Sequence, residues 1–390
     1  MQIIIHRGSH QIGGIATEIR TASTRILIDM GDELGMESDF ISKPLSIRGV
    51  TDSNSTCDAV LFTHYHGDHI GQMMNVRKDI PLFMGSLAKE IILATIKDKD
   101  CLKLLVEKAN TFLPGKVLQI GDIFVTPFSV DHSACDSYMF LIEADEKRVL
   151  YTGDFRLHGF RGKAIPKIID KFIGKVDVLI TEGTTLSRNP EKLMTEGQLQ
   201  KKVKDYMKQY KYVFVLCSST NLERICALSK AVPKGKYFIC DGYQSKLLDI
   251  IQHHWGKYSS LYRNIKKTTY GDNLLSEFQN RGFLMVVRNN HKFQDILSKF
   301  DGKKSIILYS MWDGYRTKQG STIPDFLNTF QNWQPLHTSG HASTEDLLLI
   351  IEKTQPEMVI PIHTSNPELL RKLCPDQNIK IAEDGDEICL

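Results

Sequence analysis

No stretch of this sequence approaches the ~20 consecutive apolar residues of a membrane span, so no spanning helix is expected. None of its eight cysteines forms a CxxC pair, so the usual spacing of thiolate metal sites and redox motifs is missing. Several, such as Cys217 after Val213-Phe214-Val215-Leu216, sit in apolar runs and read as buried thiols of a reducing cytoplasm. The first residues run straight into Gln2-Ile3-Ile4-Ile5 without a basic segment, an apolar core or a small-residue cleavage site, so no secretory leader is expected. Internal repeats and low-complexity tracts are also missing.

What is present suits a large soluble chain. Its 390 residues imply two lobes, and 42% apolar with 24% charged residues allow a sizeable core. The formal charge of +3 conceals a strong asymmetry. Ser187 to Gln334 holds 24 Lys and Arg against 12 Asp and Glu, while the remainder holds 25 against 34. A basic middle inside an acidic frame points to a polyanionic partner for the middle, or to a lobe that is simply lysine-rich.

The first half reads as short strands between turn residues: Gln2–His6, Ile15–Ile19, Arg25–Ile28, Ala59–Phe62, Phe124–Pro127, Tyr138–Ile142, Val149–Tyr151 and Val176–Ile180. Ile91–Asn110 has helical spacing. From Glu196 strands and helices alternate, as a parallel α/β lobe requires: helix Glu196–Tyr210, strand Tyr212–Leu216, a capping string Ser218-Ser219-Thr220-Asn221, helix Leu222–Lys230, and strands Phe283–Val287 and Ser305–Tyr309. After Trp333 a helix Thr344–Lys353, with Thr344 at its N-cap, leads to a strand Met358–Pro361.

The sharpest signal is Thr63-His64-Tyr65-His66-Gly67-Asp68-His69, directly behind an apolar run. Imidazole and carboxylate both suit zinc-like ions. In an extended segment His64 and His66 project to one side. Asp68 and His69, where the chain turns into a helix, are free to face a second ion. His132, Asp154 and His363 each follow another apolar strand; singly each reads as a turn residue, together they read as further ligands.

This His-x-His-x-Asp-His string, with the later His and Asp, resembles the metallo-β-lactamase superfamily. Asp29 in Ile26-Leu27-Ile28-Asp29-Met30-Gly31 resembles its first motif, where the acid orients the metal loop. Three further strings resemble the motifs A, B and C of its β-CASP branch of nucleic-acid-processing proteins: Glu182 in Thr181-Glu182-Gly183-Thr184, His341 in Ser339-Gly340-His341-Ala342 and His363 in Pro361-Ile362-His363-Thr364. The resemblance implies an α/β fold, an αββα sandwich with an inserted parallel α/β β-CASP lobe: residues 1–186 and 335–390 form the sandwich and residues 187–334 the insert. Members that cut RNA carry His at motif C, whereas DNA-cutting Artemis-like members carry an apolar residue. Ser219-Thr220-Asn221-Leu222-Glu223-Arg224 resembles a stretch of the ribonuclease J inserted lobe, a family that also has a C-terminal domain beyond the counterpart of Leu390.

By this resemblance His64, His66 and His132 hold one divalent ion, Asp68, His69 and His363 a second, and Asp154 bridges them. Zinc is expected, with manganese as the other choice. The expected activity is a metal-dependent ribonuclease, endo- or 5′-3′ exonucleolytic, in which a bridging hydroxide attacks phosphorus. Asp68 orients that hydroxide, His341 stabilises the phosphate or assists the leaving oxygen, and Glu182 orients His341 or a ligand histidine rather than binding metal. Ser339, Gly340, His337, Ser219 and Arg224 are candidates for phosphate or RNA contacts, though a tight turn and a helix cap explain the small ones as well. Arg288 and Arg316 are candidates to line the mouth of the cleft and Tyr243 and Tyr315 to stack bases. Met311-Trp312-Asp313-Gly314-Tyr315 reads most simply as a strand end and turn. The expected partner is RNA, with no membrane. A DNA nuclease on the same fold, a thioester or lactam hydrolase, and a non-catalytic scaffold are the competing readings; His363 weighs against the first, the basic insert and His341 against the second, and the filled ligand positions against the third.

Overall fold

A computed structural model describes residues 1–35, 40–52, 54, 56–96, 100–188, 193–330 and 332–390. Among these, three sheets form. The first runs in the order Glu387–Cys389, Gln2–Arg7, Ala16–Arg20, Arg25–Ile28, Ala59–Leu61, Leu82–Gly85, Asn110–Phe112. The second runs Met358–Ile362, Val178–Glu182, Lys147–Tyr151, Ser137–Ala144, Ile123–Val130, Leu118–Ile120. Alternation supplies the inner face of each: Ile3, Ile5, Ile26 and Ile28 of one pack with Phe140, Ile142, Ile180 and Ile360 of the other in a single buried cluster. Each such side chain contributes about 1.5–3 kcal/mol on leaving water, offset by the entropy of ordering it.

The outer faces are covered by helices. Leu87 and Ile91 of Ser86–Thr95 join a cluster over the first sheet, and Ile165, Ile169, Leu347 and Ile350 cover the second. This is the expected α/β sandwich of layers αββα. The third sheet is wholly parallel, in the order Thr268–Thr269, Tyr237–Cys240, Phe283–Val287, Tyr212–Leu216, Ser305–Tyr309, Trp333–Pro335. Its middle strands are buried throughout, as strands covered by helices on both faces must be. The insert docks on the sandwich without a break in the apolar interior, since Tyr65, Ala134 and Cys135 share a cluster with Leu222, Ile225 and Tyr262.

Several boundaries differ from expectation. The Ile91–Asn110 periodicity resolves into the helices Ser86–Thr95 and Asp100–Lys108, and Asn110 opens an edge strand. The helix expected to be capped by Thr344 is capped by Ser343, whose hydroxyl accepts from the Asp346 amide in a reciprocal capping box. Asn221 precedes Leu222–Ala231 without a side-chain cap bond. Trp312 ends no strand; it leads into a short helix, Asp313–Thr317. Among the described residues, no helix is long and apolar enough to cross a membrane.

Strand register positions the site. Tyr151 pairs with Ile180 and Ile180 with Ile360 in parallel ladders, so the chain leaves three adjacent strands at the same sheet end with Asp154, Glu182 and His363. Parallel pairing of Ile28 with Leu61 likewise sets Asp29 beside Thr63. Carboxyl ends of parallel strands are where such folds place their chemistry.

Candidate metal centre

The seven expected ligands converge. His64, His66 and His132 form one group of donor atoms within 4.8 Å of one another, and Asp68, His69 and His363 form another. His66 Nδ1 lies 3.2 Å from His64 Nε2 and 3.1 Å from His132 Nε2. Three nitrogens held at ~2.05 Å by a tetrahedral ion are ~3.3 Å apart, so these imidazoles are spaced as ligands of one cation. Asp154 joins the groups: its Oδ2 is 3.3 Å from His69 Nε2, 3.7 Å from His363 Nε2, 3.8 Å from His132 Nε2 and 3.9 Å from His64 Nε2. This Oδ2 and His69 Nε2 are buried and find no hydrogen-bond partner among the described residues. Buried polar atoms of this kind are costly unless a cation satisfies them, so the donor set fits divalent metal ions.

The opposite ring nitrogens are held by the fold. Asp29 Oδ2 accepts from His69 Nδ1 at 2.8 Å, while its Oδ1 accepts from the Thr63 amide at 2.8 Å. Thr63 Oγ1 lies 3.0 Å from His64 Nδ1 and Thr184 Oγ1 lies 2.7 Å from His363 Nδ1. The Gly340 carbonyl accepts from His132 Nδ1 at 2.6 Å. These partners fix ring orientation and tautomer. Asp29 and His363 both adopt left-handed backbone, φ 60° and 54°, which carries their side chains inward past the strand ends. Gly31 allows the Asp29 loop to lie against the Asp68 backbone: a Cβ there would fall 1.6 Å from the Asp68 carbonyl oxygen.

Electrostatics divides the cluster. Burial, reinforced by neighbouring imidazoles, holds His64 and His132 well below the ordinary histidine range, and burial holds His66 at about 4. All three are neutral with lone pairs available, the form that binds metal. Burial also opposes charge on His69, but Asp154 and Asp29 outweigh it and raise that imidazole; His363 is raised against burial by Asp154 and Asp68. The same contacts hold Asp68 and Asp154 below the usual carboxylate range despite burial. Protons on His69 and His363, or a divalent cation, balance the same buried acids.

Glu182 and His341 stand as a pair beside Asp154. Glu182 Oε2 is 3.0 Å from His341 Nδ1, and its Oε1 accepts from the Phe155 amide at 3.0 Å. His341 Nδ1 is 3.5 Å from Asp154 Oδ2. With Nδ1 engaged, Nε2 of this half-buried ring makes no hydrogen bond among the described residues.

The expected phosphate and RNA contacts scatter. Ser339 and Gly340 do adjoin the cluster, yet both are tied into it: the Ser339 carbonyl accepts from Arg156 and His158, and a Cβ on Gly340 would meet Ser133 Oγ at 2.7 Å. Arg224 is buried at 1% exposure, donating to both oxygens of Glu196 and to the Thr338 and Ser310 carbonyls, so it presents nothing to a ligand. His337 accepts from Arg224, and Ser219 accepts from Gln244. Arg288 and Arg316 pair with Asp241 and Asp313. Tyr243 lies under Arg288, whereas Tyr315 is 48% exposed. Thr63, Thr184, Arg156 and Arg188 were not anticipated. Of these only Thr63 and Thr184 had a sequence signal, each adjoining or nearly adjoining a motif residue.

Comparison with known proteins agrees with this geometry. The beta-lactamase superfamily domain profile matches residues 24–212. The chain is 26% identical to a probable ribonuclease of Methanocaldococcus jannaschii, over 53% of this chain and 51% of that one. It is 21% identical to the ribonuclease J of Helicobacter pylori, over 98% of this chain and 59% of that one, and 21% identical to the ribonuclease J of Pyrococcus abyssi, over 91% and 88%. The chain thus spans about half to three fifths of the length of the first two relatives. A crystal structure of a protein of unknown function from Enterococcus faecalis V583 superposes with a TM-score of 0.78 at 21% identity, covering 100% of this chain and 99% of that one; this likeness concerns the fold alone.

Proposed function

We propose, from the premise that this chain is a metallo-β-lactamase-superfamily protein of β-CASP, ribonuclease J-like build, that it hydrolyses RNA phosphodiester bonds with two divalent cations. The observation that carries the reading is Asp154: one carboxylate oxygen without a hydrogen bond among the described residues, within 3.9 Å of an imidazole nitrogen of each of four candidate ligand histidines drawn from both groups. In this reading His64, His66 and His132 hold one cation, Asp68, His69 and His363 the other, and Asp154 both. When bound, the cations polarise a phosphoryl oxygen and lower the pKa of a water. Zinc suits the imidazole-rich donors, and manganese is the alternative.

The chain's own groups do the rest. Glu182 fixes the His341 ring by Nδ1, which leaves Nε2 as the group that meets the phosphate or protonates the leaving oxygen. Asp68, accepting from His363 at 3.2 Å, stands where it orients the attacking water. The domain plan that goes with this reading is 1–186 and 335–390 for the sandwich and 187–334 for the insert; the pairing of Val178–Glu182 with Met358–Ile362 across that interval supports it. RNA as the substrate rests on the names of the relatives and on His363. The cytoplasm is the proposed compartment, in keeping with cysteines that are all unpaired.

The test is cleavage of 5′-labelled RNA by Asp154→Ala and Asp68→Ala. Both should lose at least about 10³-fold in turnover while folding normally. Wild-type turnover by either variant would end the proposal.

A further inference from the structure

Arg188 belongs to the turn that follows Glu182, its amide donating to the Thr185 carbonyl at 2.9 Å. That turn is pinned to the other motif loops: Thr185 Oγ1 donates to the Ala342 carbonyl, and Ser187 Oγ lies 3.0 Å from Ser365 Oγ. The Arg188 guanidinium is unusual for a cation beside acids. Among the described residues it forms no ion pair and no hydrogen bond; it lies over the Trp312 ring, 5.0 Å from the centroid. Burial lowers its pKa, with Glu182 the foremost charge acting on it. Other arginines of the chain that lie deep in the fold behave differently: Arg156, Arg161 and Arg224 each pair with a buried carboxylate.

The shelf under this guanidinium is aromatic and open. Trp312 is 37% exposed and Tyr315 48%, and their rings meet edge to face at 5.4 Å. The Trp312 ring lies against Arg188, whose turn is held to Ala342, the neighbour of His341, and to Ser365, two residues beyond His363, so the shelf adjoins the loops that carry the cluster. A guanidinium with its face stacked and no ion pair or hydrogen bond among the described residues has parallel N–H donors suited to a phosphate. Exposed rings beside it present the π-faces on which bases stack without regard to their identity.

We propose that Arg188, Trp312 and Tyr315 form a nucleotide-binding platform at the mouth of the metal cluster, Arg188 taking a phosphate of a single strand and the two rings the adjoining base. This deepens the ribonuclease reading and rests on it for the identity of the strand as RNA. The platform reads no base edge, so it confers tolerance of sequence rather than preference.

The test is fluorescence anisotropy of a labelled, cleavage-resistant 2′-O-methyl hexanucleotide with the metal-loaded protein, titrated across salt concentrations. Arg188→Gln should weaken binding and reduce the slope of log K against log salt by about 0.7, the loss of one phosphate contact on a single strand. Tyr315→Ala, at an exposed position that does not threaten folding, should weaken binding at least about fivefold and leave the slope unchanged. An unchanged slope in Arg188→Gln, equal affinity in Tyr315→Ala, or no binding by the wild type overturns the platform. The ribonuclease reading fails separately: wild-type protein that binds the hexanucleotide with the expected variant pattern yet leaves RNA uncut keeps the platform and loses the nuclease.

Discussion

Arg156 donates Nε–H to Asp131 Oδ1 at 2.7 Å, and neither side chain has any exposure to solvent. The same guanidinium donates through Nη1 to Glu196 of the insert and to the Ser339 carbonyl of the return segment. Asp131 precedes His132 and Ser339 precedes Gly340, whose carbonyl holds the His132 ring. One buried cation therefore ties the two loops around His132 to the first helix of the insert. Removing it takes from the buried Asp131 its one ion-pair partner among the described residues and leaves Glu196 to Arg224 alone, and breaking a buried pair in this way costs about 3–5 kcal/mol. Arg156→Met should lower stability by that amount in denaturant unfolding and reduce metal content at the site, read by elemental analysis. A stable variant with full metal content would show that the clamp is dispensable.

Asp29→Asn isolates the charge behind a candidate ligand histidine, His69. Asn tolerates the left-handed backbone of this position as Asp does, so the loop should keep its path. What changes is the partner of His69 Nδ1, an anion exchanged for a neutral amide. Loss of such a partner typically weakens metal affinity 10–100-fold. Competition with a chromophoric chelator should show a drop in that range, with the circular-dichroism spectrum unaltered. An affinity equal to wild type would leave Asp29 with a purely structural role.

The convergence of the candidate ligands was legible because they are local or follow strand ends. His64 and His66 share a side by strand period, and His132, Asp154 and His363 each end an apolar run. Thr184 and Thr63 lie close to motif residues, but which ring each holds was not legible: Thr184 meets His363 across 179 residues, and only the parallel register of two strands brings them together. Arg224 misled for a related reason. In a basic stretch it reads as a surface cation, but helix packing sets Glu196 opposite it and draws both inside. Arg188, four residues before the basic Lys192 to Lys211 run, carried no signal at all; that it makes no ion pair among the described residues is a property of the fold.

Glu196 predicts the acid limit of the fold. Burial pushes its carboxyl up, but Arg224 and Arg156 outweigh burial and hold it at about 2. A folded-state pKa below the unfolded value of about 4.3 contributes stability that is complete above the unfolded pKa and is lost as pH falls through the folded one. The contribution, about 3 kcal/mol, should therefore disappear between about pH 4.5 and pH 2. Glu196→Gln should be less stable at pH 7 yet show a shallower decline over that window, measured by urea unfolding at a series of pH values. Parallel stability profiles for variant and wild type would remove Glu196 from the acid transition.

His341 separates chemistry from metal binding. Its Nδ1 faces Glu182 and Asp154, and the three form with His363 a further group of donor atoms within 4.8 Å, but the proposed reading assigns both cations without it. His341→Ala should therefore keep most of the bound metal and lose about 10²–10⁴-fold in kcat on RNA, the range for a positioned acid–base group. Glu182→Gln should fall between this variant and wild type, since it loosens the ring without removing it. Bis(p-nitrophenyl) phosphate, whose leaving group departs without a proton, should be cut by His341→Ala at close to the wild-type rate if the imidazole serves the leaving oxygen. If the loss is as large on that diester as on RNA, the imidazole acts on the phosphate charge instead. If metal content falls along with activity, His341 is a ligand, and the division of labour drawn here is wrong.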